Sequence, residues 1–207
     1  MKYDELMQNE SFKVERKDFI YSNQLNNITD ELYLNFIKVH NGGYFYHNSM
    51  VLFGFSDQES QFNIIHMNEL FKKYYQNLAN GLHYFGQDIF GNAFAFENTK
   101  IIFFNIESAQ KEVLADSFKE WLDLLYKDLD YYNGESLAYD LNDNDRKKLV
   151  KEKRLCPKYP FILGGDYSMI NLVLKDYKEN LSFNASIAKQ VHNLSEGSQI
   201  KIVIDDK

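Results

Sequence analysis

Four stretches carry residue types and spacings that could do chemistry. Gly86 to Gly91, "GQDIFG", begins with the glycine spacing of a phosphate-binding loop. Such a loop needs Lys and then Ser or Thr to reach the phosphates and magnesium, and Asn92-Ala93 stand there instead, so the stretch reads as a turn between strands. Leu163 to Asp166, "LGGD", could cradle an anion between a strand and the next element, but the Asp166 carboxylate opposes one. Asp140 to Asp145, "DLNDND", imitates the start of a calcium loop at Asp140, Asn142 and Asn144. It has Asp145 where glycine must turn the chain and Lys151 where a bidentate Glu is needed, with Glu152 one place too late, so it reads as the capped start of a helix, with Asn142 or Asp143 as the cap.

The five histidines, His40, His47, His66, His83 and His192, have no metal-binding spacing. Cys156 is the only cysteine, which excludes an internal disulfide and fits a reducing compartment, and no nucleophile signature surrounds it. These patterns predict no catalytic residues, no metal and no cofactor.

The elements around these stretches alternate in period. A helical pattern opens at Thr29 or Asp30, runs through Leu32, Phe36 and His40 with Tyr33 and Ile37 beside them, and stops at Asn41. Gly42 and Gly43 therefore follow a helix C-terminus, where the dipole repels anions. One glycine is expected in the left-handed position past the helix, and the other leads into a strand. "GYFY" and "SMVLFGF" predict a strand pair joined near His47-Asn48, followed by the acidic loop "SDQES". A helix over 67–78 with Asn68 as its cap comes next, and then a meander of "LHYFGQ", "NAFAF" and "KIIFFNI". Ser117 and Glu120 predict a capping box, and Phe118, Trp121, Leu122, Leu125 and Leu129 its buried stripe. Further on, "PFILGG" and "INLVLKD" suggest strands, Ile187, Val191 and Leu194 a helix stripe, and "GSQIKIVID" a closing strand.

The chain of 207 residues is 44% hydrophobic, with 17 Phe and 15 Tyr, enough to fill a sizeable core. No apolar run approaches the roughly 20 residues that span a bilayer, and the first residues lack the apolar region of a signal peptide, so a cytoplasmic location and no membrane partner are expected. The net charge of −7 is uneven: Arg146 to Lys158 holds seven Lys and Arg against Glu152 alone, leaving 16 basic against 29 acidic residues elsewhere, a balance of −13. An acidic body repels nucleic acid and attracts basic partners, and the basic run is expected to be a solvated helix face. Residues 1–130 are expected as one domain, 131–158 as a charged linker or surface helix, and 159–207 as an extension packed on the same domain.

The order of "NGG" after a helix, a strand pair, "GQDIFGNAFAF", "KIIFFNIES" and "LADSFKEWLDLLYKD" resembles the SMI1/KNR4 superfamily, also called SUKH, over residues 20–130. Asn41, Gly42, Gly43, Gly86, Asp88, Gly91 and Asn92 carry the likeness, while Ile28-Thr29 replaces the usual Leu-Pro before the first main helix. The resemblance implies an α+β fold with a single central, mainly antiparallel sheet and helices packed around it, the motif residues being structural, plus a C-terminal α/β extension. It implies a non-catalytic immunity protein whose partner is a cognate protein toxin, a nuclease among the candidates, with a regulatory interaction scaffold as the alternative; apart from the resemblance, a third reading is a small-molecule binder or enzyme with a site near Gly164 and Gly165. For partner binding, Asp57 and Glu59 in "SDQES" are expected as charged anchors, with Tyr44 and Tyr46 as packing anchors.

Overall fold

A computed structural model describes residues 2–12, 25–56, 58–195, 197–199 and 201. Asp57 and most of the expected closing strand "GSQIKIVID" lie outside the described residues. Seven strands form one antiparallel sheet in simple chain order: β1 (Glu10–Phe12), β2 (Gly43–Phe45), β3 (Met50–Leu52), β4 (His83–Gln87), β5 (Ala93–Glu97), β6 (Lys100–Phe104) and β7 (Lys111–Ala115). With helices packed around it, the sheet gives the α+β architecture that the resemblance implied. Strands β1 and β7 were not legible, because each lies at an edge, carries charge and shows little apolar alternation.

Both faces of the sheet are covered, which explains why its central strands read as unbroken apolar runs. On one face lie α2 (Glu31–His40) and α4 (Phe118–Leu125), whose Tyr33, Phe118 and Trp121 meet Phe85 of β4 at ring-centroid distances of 5.4, 5.9 and 5.2 Å. Asp30 ties the two helices together, one carboxylate oxygen accepting from the Tyr33 N–H at 2.9 Å and the other from the Phe118 N–H at 2.7 Å. On the other face, Phe71 of α3 (Ile64–Tyr75) stacks on Tyr84 of β4 at 3.8 Å.

The α3 helix starts three residues before the sequence suggested. Its cap is Asn63, whose side chain accepts from the Ile65 and His66 amides, and Ile64 adds a buried turn to the stripe. Asn68 is buried instead and clamps helix to sheet: its side chain accepts from the Tyr84 N–H at 2.9 Å and donates to the Tyr84 carbonyl at 2.8 Å. At α4, Ser117 accepts from the Glu120 N–H at 3.2 Å, while the Glu120 carboxylate reaches the Asp116 N–H and not that of the cap itself. Leu129 belongs not to α4 but to a separate short helix, α5 (Leu129–Asn133).

Beyond α5 come α6 (Glu135–Asp140), α7 (Asp143–Lys151), a hairpin of β8 (Lys153–Pro157) and β9 (Leu172–Asp176), and α8 (Tyr177–Val191). The expected strand "PFILGG" is a 3₁₀ turn over Phe161–Leu163 that ends at the left-handed Gly164, and Leu194 lies past the end of α8, exposed. A second apolar cluster of Ile89, Ala138, Leu141, Leu149, Leu155 and Leu172 joins these elements to the turn after β4. The α1 helix (Lys2–Gln8) contributes Leu6 to the main core.

Candidate functional site

The motif residues that could have held a phosphate serve the turn between β4 and β5. Asp88 is buried, and its side chain accepts from the Phe90 N–H at 2.9 Å, the Gly91 N–H at 2.8 Å and the Asn92 amide at 2.8 Å. Asn92 in turn accepts from the Ile106 N–H at 3.1 Å, and Gly91 holds φ at 95°, where a side chain is strained. Burial pushes the Asp88 carboxyl up to about 7, against the three donors that favour its charged form.

Past α2, Asn41 and Gly42 are both left-handed, with φ of 54° and 74°, and the Asn41 side chain brackets Phe55, accepting from its N–H at 2.7 Å and donating to its carbonyl at 2.9 Å. A Cβ on Gly42 would fall 2.8 Å from the Phe53 carbonyl carbon, one on Gly43 3.2 Å from the Phe45 ring, and one on Gly86 2.8 Å from the Val51 carbonyl oxygen.

The expected contact loop is only partly accessible. Glu59 is exposed and lies 3.7 Å from the Lys178 ammonium. Tyr44 and Tyr46, expected as packing anchors, are each 2% exposed, and this corrects the expectation. Tyr44 lies in the sheet between Phe12 and Phe62, at 6.2 and 6.3 Å, and Tyr46 begins a turn whose three residues, Tyr46, His47 and Asn48, all have positive φ. Alternation in a strand could not reveal this, because both faces of the sheet are covered.

The basic run is not a uniform solvated face. Arg146 donates to the carbonyls of Ala138, Tyr139 and Leu141, at 3.1, 2.8 and 2.8 Å, and so closes the C-terminus of α6. Arg154 is fully buried, donating to the Leu149 and Lys153 carbonyls at 3.3 and 3.4 Å, and desolvation lowers its pKa to about 10. Asn142 caps α7 by accepting from the Asp145 N–H, and the Asp145 carboxylate is engaged by internal donors, the Asn142 amide and the Lys148 ammonium. Among the described residues no group of three His, Cys, Asp or Glu could hold a metal ion. Cys156 is buried, its thiol pushed up to about 11 by desolvation, which makes it a poor nucleophile.

A cleft of about 480 Å³ opens where β7, the loop 105–110, α5 and the segment 157–167 meet. Rings line it: Phe161 lies parallel to Tyr167 at 4.0 Å, Phe90 stands edge-on to Phe161 at 5.2 Å, and Tyr131 and Tyr132 meet at 4.9 Å. Glu107 fixes the segment in place, accepting from the Phe161 and Ile162 N–H groups at 3.2 and 2.7 Å. Outside the cleft, the chain between Tyr159 and Val173 carries Tyr159, Ile162, Met169 and Val173 exposed, with Ile170 85% exposed. The sequence did not announce this surface, because the apolar residues of "PFILGG" and "INLVLKD" suggested strands, whereas Phe161–Leu163 and Met169–Asn171 are 3₁₀ turns.

Residues 23–124 match the family model described as SMI1 / KNR4 family (SUKH-1), so the kinship expected from the motifs holds over that stretch. A solved structure described as Atu4351 from Agrobacterium tumefaciens shares the fold at a TM-score of 0.50 and 17% identity, covering 89% of this chain and 88% of that one. The shared fold thus extends beyond the family-matched stretch. Comparison with curated proteins gives no match. No described helix is long and apolar enough to cross a membrane.

Proposed function

We propose that this chain, whose residues 23–124 carry the SMI1/KNR4 signature, is a non-catalytic immunity protein that binds and occludes a cognate protein toxin through the apolar surface between Tyr159 and Val173. The family supports an immunity or protein-interaction role. The observation that carries the surface is the concentration of exposed Tyr159, Ile162, Tyr167, Met169, Ile170 and Val173 in a single short segment. Isolated surface apolar residues are ordinary, and their concentration along one segment supports a contact there. The −13 balance outside the basic run favours a basic partner such as a nuclease, whose substrate-binding surface must itself be basic.

The test is co-expression with the product of each reading frame that neighbours this gene, scored for toxicity to the host. The parent should protect the cells and co-purify with the toxic product, and Met169→Asp with Ile170→Asp should lose both while keeping the parent's melting temperature. Full protection by the double variant would overturn the surface. Tight co-purification with a non-toxic partner would favour the scaffold alternative.

A further inference from the structure

Asn184 shows what the cleft is built to receive. It is fully buried on α8 and lines the cleft, and its amide nitrogen donates to the Asn180 carbonyl at 3.0 Å and the Asn180 side-chain oxygen at 2.9 Å. The Asn180 amide nitrogen donates to the Phe90 carbonyl at 2.7 Å, which fixes the Asn180 amide with its oxygen toward Asn184. That fixes the Asn184 orientation and leaves its Oδ1 buried with no partner. A buried acceptor without a donor is costly, so this atom points to a ligand that donates.

The other groups in the cleft favour donors as well. Glu107 is a carboxylate with acceptor capacity beyond the two amides it holds, and Glu112 stands exposed on the rim strand β7. Lys111, the one cation in the lining, is turned to Glu97 at 2.8 Å and the Asn80 carbonyl at 3.1 Å, so its charge is already matched. The rings of Tyr131, Tyr132, Phe161 and Tyr167 line the cleft as well, and aromatic rings suit a delocalised cation. The volume, about 480 Å³, lies within the ordinary range for a site taking a small group or an anchoring side chain.

We infer that the cleft is an anchoring pocket for a basic side chain of the protein partner, an arginine guanidinium seated between the tyrosines, with Asn184 Oδ1 and the Glu107 carboxylate as its acceptors. The inference rests on the proposed partner-binding role and extends that surface inward from Tyr167. A planar guanidinium with several donors serves rings and acceptors at once, which an ammonium does less well.

The experiment titrates the whole protein with N-acetyl-arginine amide and with N-acetyl-citrulline amide, a neutral isostere, and follows binding by calorimetry and by the tyrosine ring NMR signals. The arginine probe should bind in the millimolar range and the citrulline probe about tenfold more weakly, a difference on the scale of a cation–aromatic contact. Tyr131→Ala and Glu112→Gln, at exposed positions, should each weaken the arginine probe several-fold without shifting the melting temperature, and Asn184→Leu should abolish the preference for arginine. Equal binding of the two probes, no binding up to 100-fold above the millimolar range, or binding untouched by both surface variants would overturn the pocket. Failure here leaves the toxin test on Met169 and Ile170 standing, since neither residue lines the cleft, and failure of that test leaves the probe result intact.

Discussion

The SMI1/KNR4 stretch and the chain that follows it place the same residue types in opposite settings. Between residues 25 and 125, Tyr33, Phe36, Phe85, Phe94, Phe118 and Trp121 form a closed aromatic core, and nearly every motif polar group is satisfied from within. Between residues 131 and 173, Tyr131, Tyr139, Tyr159 and Tyr167 face solvent. The difference separates what identifies the fold from what meets a partner. A motif whose side chains are saturated by its own backbone has nothing left for a ligand, so recognising the family locates the scaffold and leaves the contact to be found elsewhere.

The largest test of that contrast is in the core. Trp121 is 1% exposed, and Trp121→Ala should cost about 3 to 5 kcal/mol, read from chemical unfolding. A loss under about 1 kcal/mol would mean that the aromatic cluster is loosely packed, and the contrast would fail at its first term. A sharper probe uses pH. The folded chain holds the Asp88 proton more tightly than the unfolded chain does, so this group's contribution is full below about pH 4 and is lost as pH rises to about 7. The parent should therefore lose stability relative to Asp88→Asn across that window, by an amount on the order of 4 kcal/mol. A difference independent of pH would show the carboxylate charged throughout and compensated by its donors. The smallest effect belongs to the outer region: Tyr159→Ser and Ile170→Ser should each change unfolding free energy by no more than about 0.5 kcal/mol. A marked loss would show that these side chains serve the fold and are not held in reserve for a partner.

Legibility in the sequence followed the same division. Helix α4 was readable because its stripe and cap are local, with Ser117 three residues from Glu120 and Phe118, Trp121, Leu122 and Leu125 at helical spacing. The turn at Asp88 was readable as a turn because its hydrogen bonds close within four residues. The burial of Tyr44 and Tyr46 was not readable, because it depends on elements distant in sequence that cover both sides of the strand pair. The role of Asn68 was hidden for a similar reason: Asn before an apolar stripe normally signals a cap, and only the strand sixteen residues on turns it into a clamp. The cleft draws residues from β6, the following loop, α5 and α8, so no local spacing could announce it.

The left-handed turn of Tyr46, His47 and Asn48 bears on how the chain comes together in time. Ser49 next to it donates to Asn133 at 3.0 Å, and the Asn48 amide donates to the Arg146 carbonyl at 3.2 Å, across 84 and 98 residues of sequence. During synthesis, with the chain emerging from the N-terminus, this early hairpin can meet Asn9 and Ser11 at once, but these two long-range latches cannot close until residues 133 and 146 have left the ribosome. Loops that long close late, so two of the bonds that hold an element made among the first are among the last to form.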